Sequence, residues 1–329
     1  MKLIGLEEHF VTDAVMRAWA GVPGEWQDPG GNHANEGDVG RRLKDLTGER
    51  IADMDRAGLD VQVVSLTAPG TQNLAPADAA ALQREANDLL AEAVRARPDR
   101  LQGFATLATP DPHAAAAELS RAVTELGFHG ALLFGRTRER NADDQAFWPI
   151  YEAAAHHRAP LYFHPQAPVP AVRQAIYSGY GDPLDAAFAA FGLGWHYETG
   201  VQLLRMILSG VFDRFPALQV ITGHWGEVVL FYLERIDGLK RFATIERPVS
   251  DYFRTNISVT PSGIWSGRYL AWAKDVVGVD RILFSTDYPY RFEADGTARR
   301  FLEEADLSDA EREAIAHGNW ERMVAAIRR

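Results

Sequence analysis

The sequence predicts an α/β fold: a (β/α)8 barrel of the TIM type with loop insertions, expected as a single domain over residues 1–329. Three observations predict it. Short apolar runs alternate with amphipathic helical stretches, the pattern of a parallel sheet buried on both faces. The runs number eight in 329 residues, which suits a barrel with insertions. No Gly-rich dinucleotide or phosphate-binding fingerprint follows any run, which removes the usual reason for the competing doubly wound open sheet.

Bulk composition narrows the function classes. Hydrophobic residues make up 47% of the chain and charged residues 24%, a globular composition with no low-complexity tract. The net charge of −11 argues against nucleic acid as a partner, because phosphates call for a basic face. Cysteine is absent, so any metal must be held by nitrogen and oxygen. No apolar run approaches the ~20 residues that span a bilayer, and the N-terminus shows no basic segment followed by a long apolar one. A cytoplasmic enzyme with no membrane partner is the expectation.

Taken in order, Leu3-Ile4-Gly5-Leu6 reads as the first strand, closed by Glu7-Glu8-His9-Phe10. Residues 11–40 mix Gly, Pro, Trp and acids without a period and read as a long loop. Leu43, Leu46, Ile51 and Met54 give residues 41–58 helical spacing. Val61–Leu66 is β-branched and stops at Ala68-Pro69-Gly70, a strand and turn. Helix 79–96, strand 101–107, helix 112–126, strand 129–134, helix 143–157 and strand 160–163 continue the alternation. An excursion over 166–196, rich in Pro, Gly, Tyr and Phe, interrupts it. Helix 198–212, strand 218–222, helix 227–241, strand 255–259, helix 264–274 and strand 282–285 complete the set. Two further helices follow, the last from Ser308, with Glu311 three residues on as a capping box.

In such barrels the active site gathers at the C-terminal ends of the strands. Those ends carry Glu7 and His9 on the first, His164 on the fifth, His224 on the sixth and Asp287 on the eighth. Alternation along a strand turns Glu7 and His9 to one side and Glu8 to the other. Glu7, His9, His164 and Asp287 are the expected ligands of one divalent metal ion. A mixed nitrogen and oxygen set suits Zn²⁺ or Mn²⁺, and two carboxylates favour Mn²⁺. Phe134 and Tyr290 follow the fourth and eighth strands closely enough to line the pocket.

The stretches Leu6-Glu7-Glu8-His9-Phe10, Phe163-His164-Pro165, Gly223-His224-Trp225-Gly226-Glu227 and Leu283-Phe284-Ser285-Thr286-Asp287-Tyr288-Pro289 carry a family resemblance. So do Arg97-Pro98-Asp99-Arg100 and Ser209-Gly210-Val211-Phe212-Asp213. The sequence resembles, over nearly its whole length, the metal-dependent decarboxylase branch of the amidohydrolase superfamily. That is the branch of the gamma-resorcylate, 2,3-dihydroxybenzoate and 5-carboxyvanillate decarboxylases.

The resemblance implies an amidohydrolase-type barrel with Glu7, His9, His164 and Asp287 as metal ligands. It implies that His224 is a catalytic histidine beside the metal, with Glu227 as its carboxylate partner. It further implies that Arg235 reaches a neighbouring subunit's substrate, that Trp195 lies near the pocket, and that the assembly is a homodimer or homotetramer. Two stretches depart from the family pattern, Leu133-Phe134-Gly135-Arg136 and His164-Pro165-Gln166-Ala167, both at the rim that selects the substrate. The implied reaction is non-oxidative decarboxylation of a small hydroxybenzoate-type acid with release of CO₂, Asp287 supplying the proton, and no organic cofactor. The same ligands could instead serve a hydrolase acting on a lactone, amide or ester, and a non-catalytic binding barrel is the remaining alternative.

Overall fold

The structure is a computed structural model that describes residues 1–29, 31 and 36–329; positions 30 and 32–35 of the loop expected over 11–40 lie outside the described residues. Its strands are β1 (Ile4–Phe10), β2 (Val61–Leu66), β3 (Leu101–Gly103), β4 (Ala105–Thr106), β5 (Ala131–Phe134), β6 (Arg136–Thr137), β7 (Arg140–Asn141), β8 (Leu161–His164), β9 (Val220–Thr222) and β10 (Ile257–Val259). They form two parallel arcs, β1-β2-β3 and β4-β5-β8-β9-β10. The third expected strand is split at Phe104, which bonds back to Val64 O before Ala105 bonds forward to Gly130 O. One run of chain thereby joins the two arcs.

The eighth expected strand, 282–285, does not form a ladder. Its segment pairs through isolated bridges, Ile282 with Val259 and Tyr288 with Glu8. Leu283 N donates to Val259 O and Leu6 N to Phe284 O, so the segment still closes the cylinder between β10 and β1. A left-handed Asp287 (φ 62°) turns the chain before the second bridge, which prevents an unbroken ladder.

Helices alternate with strands as expected, with shifted ends. The stretch 41–58 is two helices, Gly37–Lys44 and Glu49–Ala57, broken where the Asp45 carboxylate accepts from Gly48 N and Glu49 N. Expected helix 198–212 runs Gly194–Leu208, and 264–274 runs Gly267–Val277 from a Ser266 N-cap. Expected helix 227–241 starts at Val229 and tightens to a 3₁₀ turn after Ile236. The loop after β1 contains an unexpected helix, Asp13–Ala20, capped by Thr12. The hairpin β6–β7 was likewise not legible. Ser308 and Glu311 do form a capping box. Among the described residues no helix is long and apolar enough to cross a membrane.

The inner core is Ile4, Leu6, Val61, Val63, Phe104, Leu132, Tyr162, Ile221 and Leu283, with Trp320 packed edge-on to Phe104. Leu6 therefore points inward, and strict alternation would send Glu7 and His9 outward. A bulge resolves this. Between Gly5 and Glu8 β1 advances three residues while β2 advances two, from Gln62 to Val64. The extra residue lets Leu6 and Glu7 both face inward and sends Glu8 out. Gly5 makes room for it, since a Cβ there would lie 2.2 Å from Glu8 Oε1.

Candidate active site

The bulge delivers Glu7 and His9 into the mouth of the barrel, where both are fully buried. β8 adds His164, two residues beyond inward-facing Tyr162, and the closing segment adds Asp287. His164 Nε2 lies 3.2 Å from Glu7 Oε1, and His9 Nε2 lies 3.4 Å from Asp287 Oδ1. One donor atom from each of the four falls within 4.8 Å of all the others. That is about twice a ~2.0–2.3 Å bond, the spread expected of ligands around one divalent ion.

Hydrogen bonding leaves the inward atoms available. Glu7 Oε1 and both nitrogens of His9 are buried without a hydrogen-bond partner. Buried polar atoms left so are costly, and a cation is the partner that suits a carboxylate oxygen and neutral imidazoles. The donor set fits a divalent metal. Glu7 and His164 are also held from behind, and the backbone that carries His9 and Asp287 is tied in place. Tyr162 donates its hydroxyl to Glu7 Oε2 at 2.5 Å, and Ser262 donates to the same oxygen. His164 Nδ1–H donates to Pro165 O at 2.7 Å, which leaves Nε2 as its lone-pair nitrogen. Outside the barrel, Glu8 accepts from Thr286 N at 2.9 Å and Thr286 Oγ1 at 2.6 Å, tying the segment that carries Asp287 to β1. Fully buried Arg50 donates to His9 O at 2.5 Å and to Gln62 at 2.9 Å.

Electrostatics match this layout. Burial works to raise the Glu7 carboxyl, but His224, His164 and His9 outweigh it and hold it well below the usual range. Burial, then the neighbouring charge of Glu7, pushes Asp287 well above its ordinary value. Burial pushes Glu8 up to about 8 against the pull of Thr286. His9 is kept neutral by burial and by the nearby His164. Two carboxyl groups crowded into one buried site are relieved by a cation between them.

A ring-lined space surrounds the four. Phe134 packs edge-on to His164 with centroids 5.3 Å apart, Tyr290 lies 5.7 Å from His9, and Trp195 lies 6.2 Å from His164. Tyr290 is anchored to Thr67 at 2.8 Å. Phe134 lies over Gly70 (φ 61°), where a Cβ would come within 2.3 Å of its ring. The Trp195 indole N–H is buried without an acceptor. His224 lies 6.5 Å from His164, centroid to centroid, and donates its Nδ1–H to Glu227 Oε1 at 2.7 Å. Arg235 is not among these groups. It is exposed on the helix Val229–Ile236 and lines a surface groove of about 640 Å³ with Tyr197, Val201, Tyr232, Leu239 and Phe242.

Sequence reasoning passed over Tyr162, Ser262 and His196, and gave Glu8 no part in the site. Tyr162 was within reach, because period two on its strand turns it the same way as His164. Ser262 stands three residues past the seventh strand, on the rim already searched for acids and histidines. His196, whose Nδ1–H donates to Glu227 Oε2 at 2.8 Å, is a lone helical histidine that carries no periodic signal.

This barrel, with two acids and two histidines meeting at its mouth, defines a class, and the family model for amidohydrolases matches residues 9–325. The chain belongs to the amidohydrolase family. It is 37% identical to gamma-resorcylate decarboxylase of Polaromonas sp., with 97% of each chain covered. The crystal structure of 5-carboxyvanillate decarboxylase from Sphingomonas paucimobilis superposes with a TM-score of 0.91 at 33% identity, covering all of both chains. A dihydroxybenzoic acid decarboxylase from Polaromonas sp. JS666, solved with manganese and the inhibitor 2-nitroresorcinol, gives 0.85 at 35% identity over 98% of this chain and 97% of its own.

Proposed function

We propose that this protein is a metal-dependent decarboxylase of a hydroxybenzoate-type aromatic acid, with Glu7, His9, His164 and Asp287 holding one divalent ion, Mn²⁺ before Zn²⁺. The observation that carries the reading is the meeting of those four donors within 4.8 Å, with partnerless buried atoms turned inward. The similar decarboxylases, one of them solved with manganese, support it. Held by Glu7, His9, His164 and Asp287, a divalent ion would supply Lewis-acid chemistry, favouring an ortho-hydroxy acid and drawing charge from its ring.

The chain's own groups do the rest. Phe134 and Tyr290 flank the aromatic ring, and the Trp195 N–H donates to a substrate oxygen. Asp287 gives its proton to the ring carbon bearing the carboxylate. The carbon–carbon bond then breaks, its electron pair returns to the ring, and CO₂ leaves. His224, oriented by Glu227, handles protons on the facing side. No organic cofactor takes part in these steps.

The groove around Arg235 supports a homo-oligomer. Phe231 and Phe242 are 68% and 76% exposed beside it, an apolar surface of the kind that marks association. Arg235 forms no ion pair with a described residue, and a planar guanidinium suits a carboxylate supplied from across an interface. These features support a homodimer or homotetramer in which Arg235 completes a neighbour's pocket.

The test is a CO₂-release assay over mono- and dihydroxybenzoates with Mn²⁺-loaded enzyme. Release of CO₂ in step with loss of the acid is expected. Hydrolysis of lactones, amides or esters without CO₂ release would overturn the reading.

A further inference from the structure

Five consecutive residues, His224, Trp225, Gly226, Glu227 and Val228, have φ between 49° and 88°. Four of them carry side chains in a left-handed backbone that glycine alone adopts readily, so the turn persists only if its surroundings hold it. The 260–264 loop holds one side. Trp225 N donates to Thr260 O at 2.9 Å, Trp225 Nε1 to Ile264 O at 2.9 Å, and His224 N to Ser262 Oγ at 3.1 Å.

The helix Gly194–Leu208 holds the other side. Gly200 sits so close to Glu227 O that a Cβ would come within 2.5 Å of it. One turn earlier, His196 reaches the fully buried Glu227 carboxylate. Its Nδ1–H donates to Oε2 at 2.8 Å, while Oε1 takes the Nδ1–H of His224 at 2.7 Å. The two imidazole centroids are 4.6 Å apart. His196 Nε2 lies 3.2 Å from Phe191 O, so both ring nitrogens of His196 face acceptors, an arrangement that favours the protonated ring.

We propose that His196 is a positioning residue for the decarboxylation, holding Glu227 from the side opposite His224. This rests on the reading that His224 acts at the reacting centre. With one oxygen committed to each imidazole, the Glu227 carboxylate cannot rotate. His224 is therefore locked in the tautomer that presents Nε2 for proton exchange. When protonated, His196 balances the charge of Glu227, so the pair adds rigidity to the strained turn without a net buried charge. The same three side chains have the spacing of a second metal site, within 4.8 Å of one another. Direct pairing of both carboxylate oxygens with both Nδ1 atoms favours the positioning role.

The test compares His196→Leu, His196→Asn and His224→Asn with wild type, reading kcat, KM, bound Mn²⁺ and thermal midpoint. His196→Leu should lower kcat by roughly 10- to 100-fold, the usual loss for an orienting partner, with KM within about twofold and one Mn²⁺ per chain. His196→Asn places an amide N–H where Nδ1 sits and should recover most of kcat. Wild-type kcat in His196→Leu beside an inactive His224→Asn would overturn the inference alone. So would two Mn²⁺ per wild-type chain, or equal losses in the folded Leu and Asn variants. If His196→Leu fails to fold, His196→Asn decides: a kcat reduced as far as that of His224→Asn defeats the proposal. A fully active His224→Asn, or a wild type that releases no CO₂, defeats the underlying reading instead.

Discussion

Tyr162 donates its hydroxyl to Glu7 Oε2 at 2.5 Å from the opposite side of the barrel, and this fixes which oxygen of Glu7 faces His164. Thr260 backs the hydroxyl at 2.8 Å, so a strand-end carboxylate is oriented by residues from the fifth and seventh barrel positions. Tyr162→Phe should therefore lower Mn²⁺ affinity by roughly 10- to 100-fold without changing the fold. A titration following free Mn²⁺ by electron paramagnetic resonance reads it directly. Equal affinity in variant and wild type would remove Tyr162 from that role.

His164→Ala removes one of four donors and leaves the barrel's apolar interior in place. Bound Mn²⁺ and CO₂ release should both be lost, while far-UV circular dichroism matches wild type. Full metal occupancy with full activity would exclude His164 from the site.

Arg235→Ala should raise KM by about tenfold or more, the worth of a charge-assisted hydrogen bond, with metal content unchanged. Mixing it with Asp287→Ala should restore some activity, because a hybrid interface pairs one intact metal centre with one intact arginine. A fully active monomer in solution would sink this prediction and return Arg235 to the ordinary surface.

His129 gives a pH signature away from the site. Burial, and then the charge of Arg329, lowers its pKa from 6.5 to about 4, and its ring lies against Trp320. The unfolded chain thus binds the proton more readily than the folded one between these values. The stability contribution is complete above pH 6.5 and is lost as pH falls towards 4, about 3 kcal/mol in all. Thermal midpoints measured from pH 7 to 4 should fall less steeply for His129→Leu than for wild type. Parallel curves would show that His129 titrates alike in both states.

Much of the site lay on the surface of the sequence. Glu7, His9, His164, His224 and Asp287 each stand where an apolar run stops, and a parallel barrel brings its strand ends to one rim whatever loops intervene. Local patterning was enough for that, because strand period and chain alternation are local properties. It could not supply the bulge at Gly5–Glu8, which depends on the register of β1 against β2 and decides whether Glu7 faces inward. Nor could it supply the closing segment 282–288, whose two bridges exist only once β10 and β1 have come together. The partners that orient the donors, Tyr162 and Ser262 on Glu7 and His196 on Glu227, lie 155, 255 and 31 residues away along the chain. Chain order determined which residues reach the rim; tertiary contact decided how each is held there, because a hydrogen bond depends on distance in space and sequence separation says nothing about it.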